Sequence, residues 1–196
     1  NGYPHAVIVF NPVVCRRNEL VKVSIWDAVE DPDKTDDKKF AVRTPPGEII
    51  NAQKVGSGNY WGHNYTDVVF PASVDALGYS TYIIEEGTKQ DGNDGTVKLF
   101  GSYGIENEFL KVVINASGDI LSIIDKKLGK ELLSAPSRLE FQKEHPEYWP
   151  AWNMDWNDRK NPPIDFVKGP AQITLVEKGP VRASLRIERN ARNSVF

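Results

Sequence analysis

The chain carries one cysteine, one methionine and three histidines in 196 residues, and each scarcity removes a class of chemistry. A lone Cys15 makes no internal disulfide, so packing alone must hold the fold. Its neighbours Arg16 and Arg17 favour a reactive thiol, but a half-buried thiol at a strand end is the plainer expectation. His5, His63 and His145 are far apart, and neither a His-x-Asp pair nor a His-Glu-x-x-His pattern occurs. Converging zinc ligands are therefore not written into this chain, and each histidine reads as a surface or structural residue. A Gly-x-Ser-x-Gly elbow, a phosphate loop and a dinucleotide fingerprint are missing too. The longest apolar runs, such as residues 6–10, are far too short to span a bilayer. A net charge of −3 and a pI near 5.7 leave no basic stripe for nucleic acid or an anionic membrane. The expectation is a chain with no catalytic residue, no metal site, no nucleic-acid partner and no membrane partner of its own.

What remains is β pattern. Ala6-Val7-Ile8-Val9-Phe10 is a short apolar strand ended by the turn pair Asn11-Pro12. Residues 20–26 alternate, placing Val21, Val23 and Ile25 on one face. Residues 27–39 are acidic and read as a loop. Residues 40–43 and 67–70 are strand-like, and residues 77–84 are rich in aromatic and β-branched side chains. Further strands are expected over residues 108–115 and 120–125 around Ser117-Gly118-Asp119, and over 171–177 and 181–188 around Lys178-Gly179-Pro180. No segment sustains a helical period. Regularly spaced strands separated by turn signals predict an all-β protein built of sandwiches. The polar, glycine-rich run from Glu85 to Gly95 is the best linker, giving a small sandwich over 1–86, a linker over 87–103 and the start of a larger sandwich over 104–196. Asp91-Gly92-Asn93-Asp94-Gly95 lacks the alternating ligands and closing Glu of an EF-hand, so a plain loop is expected there. The chain begins Asn1-Gly2-Tyr3-Pro4 and stops at Phe196 just after a strand-like run, which predicts a piece of a longer protein with its second sandwich cut short.

One segment suits ligand contact. Residues 148–159 hold three of the five tryptophans, Trp149, Trp152 and Trp156, among Asn153, Asp155, Asp158 and Arg159. Aromatic faces stack on the C–H surfaces of sugars while amides and carboxylates bond hydroxyls, so these seven residues are the candidates for carbohydrate or interdomain contact. Tryptophans that pin an irregular excursion to its own sheet account for the same composition. Pro146, Pro150, Pro162 and Pro163 rule out long regular pairing and favour a fixed excursion. Asn64-Tyr65-Thr66 and Asn115-Ala116-Ser117 match the glycosylation acceptor pattern.

Taken in order, five stretches resemble the C-terminal β region of family 38 α-mannosidases. They are Val7-Ile8-Val9-Phe10-Asn11-Pro12 with Leu20-Val21-Lys22-Val23; Val69-Phe70-Pro71-Ala72 with Ala76-Leu77-Gly78-Tyr79-Ser80-Thr81-Tyr82; Glu106-Asn107-Glu108-Phe109-Leu110 with Gly118-Asp119-Ile120-Leu121-Ser122-Ile123-Ile124-Asp125; Trp149-Pro150-Ala151-Trp152-Asn153-Met154-Asp155; and Gly179-Pro180-Val181-Arg182-Ala183. Pro150 and Asn153 stand where that family commonly has acids, so no acidic role is carried over to them. The resemblance implies a small immunoglobulin-like sandwich followed by the first part of a galactose-mutarotase-like super-sandwich. It implies a retaining, zinc-dependent parent enzyme whose zinc and nucleophile lie in an N-terminal catalytic domain absent from this chain. That domain and a mannose-containing glycan are the implied partners, and a periplasmic, secreted or lumenal site is favoured. An independent carbohydrate-binding module and an immunoglobulin-like adhesion or assembly domain stand as alternatives.

Overall fold

The computed structural model describes residues 4–27, 39–86, 97–101 and 103–196. Most of the linker expected over 87–103, the Asp91–Gly95 run and most of the acidic loop after Trp26 lie outside the described residues. The chain divides into two units, Asn1–Val97 with Glu177–Ala183, and Lys98–Val176 with Ser184–Phe196. Almost every regular element is a strand, as the period-2 pattern predicts.

Among the described residues the first unit holds seven strands: β1 (His5–Asn11), β2 (Arg17–Trp26), β3 (Phe40–Arg43), β4 (Ile49–Asn51), β5 (Gln53–Tyr60), β6 (His63–Val74) and β7 (Gly78–Glu86). They form a four-stranded sheet in the order β1-β7-β3-β4 and a three-stranded sheet in the order β2-β6-β5, all paired antiparallel. Alternation builds the core between them. Ile25, Val68, Phe70 and Ala72 from the three-stranded sheet meet Phe40, Val42, Tyr82 and Ile84 from the four-stranded one, with Val7, Val9, Val21 and Val23 packed alongside. The Tyr82 ring lies 5.2 Å from that of Phe70, and its buried hydroxyl accepts the Ser73 N–H and donates to the Ser73 carbonyl, both at 2.8 Å. A core phenol is admissible because its one polar atom is satisfied.

Asn11 shows why the strand end reads Phe-Asn-Pro. Its buried amide donates to the carbonyls of Cys15 (2.8 Å), Val74 (3.1 Å) and Asp75 (2.9 Å), while its oxygen accepts the Val13 N–H. One side chain thus satisfies both the turn after β1 and the turn between β6 and β7. Cys15 sits in that first turn and is exposed, which corrects the expected half-buried thiol. The turn bonds through the Cys15 carbonyl and leaves the side chain outside.

The second unit contains β8 (Lys98–Phe100), β9 (Gly104–Glu106), β10 (Leu110–Ile114), β11 (Ile120–Asp125), β12 (Lys130–Glu131), β13 (Glu140–Phe141), the single turn of helix α1 (Trp156–Arg159) and β14 (Asp165–Phe166). It also contains most of β15 (Gln172–Lys178) and β16 (Ala183–Glu188), then β17 (Asn190–Ala191) and β18 (Ser194–Val195). Strands β12-β11-β10-β9-β8 make an antiparallel meander, and β13-β14, β15-β16 and β17-β18 make two-stranded sheets. Asn115 turns the β10–β11 hairpin by accepting the N–H groups of Ser117 (3.0 Å) and Asp119 (2.9 Å), the local bonding for which Asn is favoured in turns. The buried Arg189 guanidinium closes this region, donating to Asp119 at 2.7 Å and to the Ser117 carbonyl at 3.2 Å.

Residues 177–183, the turn of the β15–β16 hairpin, group with the first unit and are held there by Gln53. The buried Gln53 side chain accepts from the N–H groups of Val181 (3.2 Å) and Arg182 (2.8 Å) and donates to the Arg182 carbonyl (2.9 Å). A Cβ at Gly179 would lie 2.0 Å from Gln53, so only glycine lets the turn come this close.

Candidate functional site

The excursion between β13 and β14 begins with a backbone that cannot pair regularly, because prolines recur through it. Its carboxylates fold it instead. Asp155 occupies the N-cap of α1 but makes no side-chain cap; its carboxylate accepts the Glu147 N–H at 3.1 Å and the Asn153 amide at 3.4 Å. Asp158 accepts the His145 N–H at 2.5 Å. Arg159 donates to Glu140 of β13 at 2.9 Å, and Gln142 donates to the carbonyls of Asp158 and Asn161, both at 2.9 Å. Three of the seven candidate residues, Asn153, Asp155 and Asp158, thus hydrogen-bond within the excursion itself, and Arg159 ties it to β13.

The rings are left outside. Trp149 is 71% exposed, Trp152 89% and Trp156 73%, with Tyr148 and Met154 also exposed. None of these side chains is buried in the described structure. Tyr148 and Trp149 stand 5.8 Å apart and tilted at 47°. Trp149 has φ of +51°, and its carbonyl accepts the N–H groups of Trp152 and Asn153 in a tight turn. A bulky residue in the left-handed region is strained, by about 1–2 kcal/mol. The result is a set of large, exposed aromatic rings on a backbone braced by hydrogen bonds, an ion pair and turns. Such a set suits face contact with a sugar or with the apolar surface of a neighbouring domain, since patches of this kind mark interaction sites.

The other candidates separate. His63, the first residue of β6, has its Nδ1 2.8 Å from Asp27, His5 starts β1, and exposed His145 takes part through its backbone. Glu106 lies 3.5 Å from Lys126, as a solvated charge does. Among the described residues no group of three or more His, Cys, Asp or Glu side chains stands close enough to hold a metal ion. A second aromatic group, Trp26, Tyr60 and Tyr65, is assembled on the three-stranded sheet of the first unit. Its members come from three strands, so no contiguous run in the sequence announces them.

Residues 105–196 match a family model described as "Glycosyl hydrolases family 38 C-terminal domain". The chain is also 26% identical over 96 residues to "Alpha-mannosidase G" of Dictyostelium discoideum, a match covering 47% of this chain and 9% of that protein.

Proposed function

We propose, on the match of residues 105–196 to the family 38 C-terminal domain, that the chain is the non-catalytic β-sandwich part of a retaining, zinc-dependent α-mannosidase. The observation that carries the reading beyond family membership is the excursion between β13 and β14. Its polar side chains are turned inward to fix the backbone, and its tryptophans are turned outward with nothing of their own unit to cover them. In this reading the rings of Trp149, Trp152 and Trp156, with Asn153, pack toward an N-terminal catalytic domain and frame its cleft for a mannose-containing glycan. The charges of Asp155, Asp158 and Arg159 hold that surface in shape.

Zinc and the nucleophile reside in the catalytic domain in this account. In this reading the chain contributes orientation and water exclusion, and the bond-making step belongs to the catalytic domain. Framing raises the rate by holding substrate near its reactive geometry, and small displacements of such a wall cost large factors. Replacing Trp152 by Ala in the intact polypeptide tests this. The account expects kcat/KM for an aryl α-mannoside to fall about tenfold, while thermal unfolding of the 196-residue chain stays unchanged. Unaltered kinetics would remove the framing role.

A further inference from the structure

Independently of the parent enzyme, we propose that the open end of the outer face of the three-stranded sheet, where Trp26, Tyr60 and Tyr65 lie, is a binding site for a neutral pyranoside. The register sets Trp26 of β2 opposite Tyr65 of β6, and Tyr65 opposite Gly58 of β5; Tyr60 and His63 are the next pair along the same face. This face is the reverse of the core, which takes Thr66, Val68 and Phe70 from the alternate positions of β6.

One glycine lowers the face. A Cβ on Gly58 would lie 2.7 Å from the Tyr65 hydroxyl oxygen and 2.8 Å from its ring, so the Tyr65 side chain lies down across β5. Glycine inside a strand commonly marks such a close approach. Trp26 stands beside the recumbent ring, 5.4 Å between centroids and tilted at 55°, so the two make a floor and a wall. Trp26 is 47% exposed and Tyr60 62% exposed, leaving ring faces open to solvent. At the end of the site the β5–β6 turn displays Trp61, 87% exposed, at φ +52° before Gly62 at +82°. An Asn-Gly pair would make that turn without strain, so local geometry gives no reason for a tryptophan there.

Charge identifies the occupant. Lys22 is paired with Asp67 at 2.9 Å, and Asp67 also accepts the Ser24 hydroxyl at 2.6 Å. His63 is paired with Asp27 at 2.8 Å. Each described carboxylate beside the rings has a cationic or proton-donating partner, so among the described residues the face presents aromatic planes and paired polar groups without an excess of either sign. Anions such as phosphates or acidic glycans find no surplus cation among those described residues, and a bare apolar partner would strand the pairs. A neutral, hydroxyl-rich ring with C–H faces matches both features.

The test is a two-dimensional NMR titration of the 196-residue chain with mannotriose, cellotriose and the anionic control sialyllactose. Saturable shifts at the Trp26 indole and at Gly56, Gly58 and Tyr65 are expected with a neutral trisaccharide, with Kd in the millimolar range and no saturation by the control. Tyr60→Ala, which removes an exposed ring, should weaken binding about fivefold with the remaining spectrum unchanged. Absence of shifts at these residues with both neutral sugars overturns the proposal, as do shifts confined to Trp149, Trp152 and Trp156. Wild-type affinity in the Tyr60→Ala variant removes Tyr60 from the site.

Discussion

Single side chains settle several local structures here, and their removal has directed consequences. Gln53 satisfies three backbone groups of the turn 177–183 from a buried position. Gln53→Ala strands those groups and should lower stability by about 2 kcal/mol in urea denaturation; a loss under about 0.5 kcal/mol would show that water replaces the amide at no cost. The Asp119–Arg189 pair is buried on both sides. Asp119→Ala leaves an uncompensated guanidinium and should cost about 3–5 kcal/mol, and adding Arg189→Met should recover much of that loss. An additive double variant would mean that the two residues act separately.

Asp67 belongs to the same scale. Burial works to raise its carboxyl, yet the hydrogen bonds from Ser24 and Lys22 and the Lys22 charge hold it below the ordinary carboxylate value. A group depressed in the folded state stabilises above its unfolded pKa, about 3.9 for Asp, and that contribution disappears as pH falls through the folded value. The stability difference between the native chain and Asp67→Asn should therefore be full at pH 6 and should shrink in acid. A difference constant from pH 6 to pH 2 would contradict the assignment.

At the scale of elements, the excursion between β13 and β14 separates bracing from display. Trp152→Ala should change the unfolding free energy of the chain by less than about 0.5 kcal/mol, since the ring touches solvent. Asp155→Ala removes the acceptor that holds Glu147 and Asn153 and should speed tryptic cleavage at Arg159 and Lys160. Equal protease resistance in the two variants would show that the carboxylate does not brace the segment.

The strands were largely legible because alternation is a local signal. Val21, Val23 and Ile25 share the core-facing side of β2, and the hairpins around Ser117-Gly118-Asp119 and Lys178-Gly179-Pro180 form where turn residues interrupt apolar runs. Strand β5 escaped notice, since Lys54-Val55-Gly56-Ser57-Gly58 is neither apolar nor cleanly alternating. Gly58 makes sense only beside Tyr65, which reaches it across the sheet. The tryptophan-rich segment was legible as a composition. The inward bonding of its carboxylates was not, because Asp155 and Asp158 bond to backbone groups eight and thirteen residues away through irregular chain.

At the scale of the whole molecule, the account gives this chain architecture and leaves bond-making chemistry to a domain that precedes it. The match of residues 105–196 to a family 38 C-terminal domain and the similarity to an α-mannosidase are the grounds for that proposal. The most direct measurement is hydrolysis of an aryl α-mannoside by two purified proteins, the 196-residue chain alone and the polypeptide extended to include the proposed N-terminal catalytic domain, each with and without zinc. The account predicts zinc-dependent turnover by the extended polypeptide and none above buffer by the chain alone. Turnover by the chain alone, or none by the extended polypeptide with zinc, would contradict it.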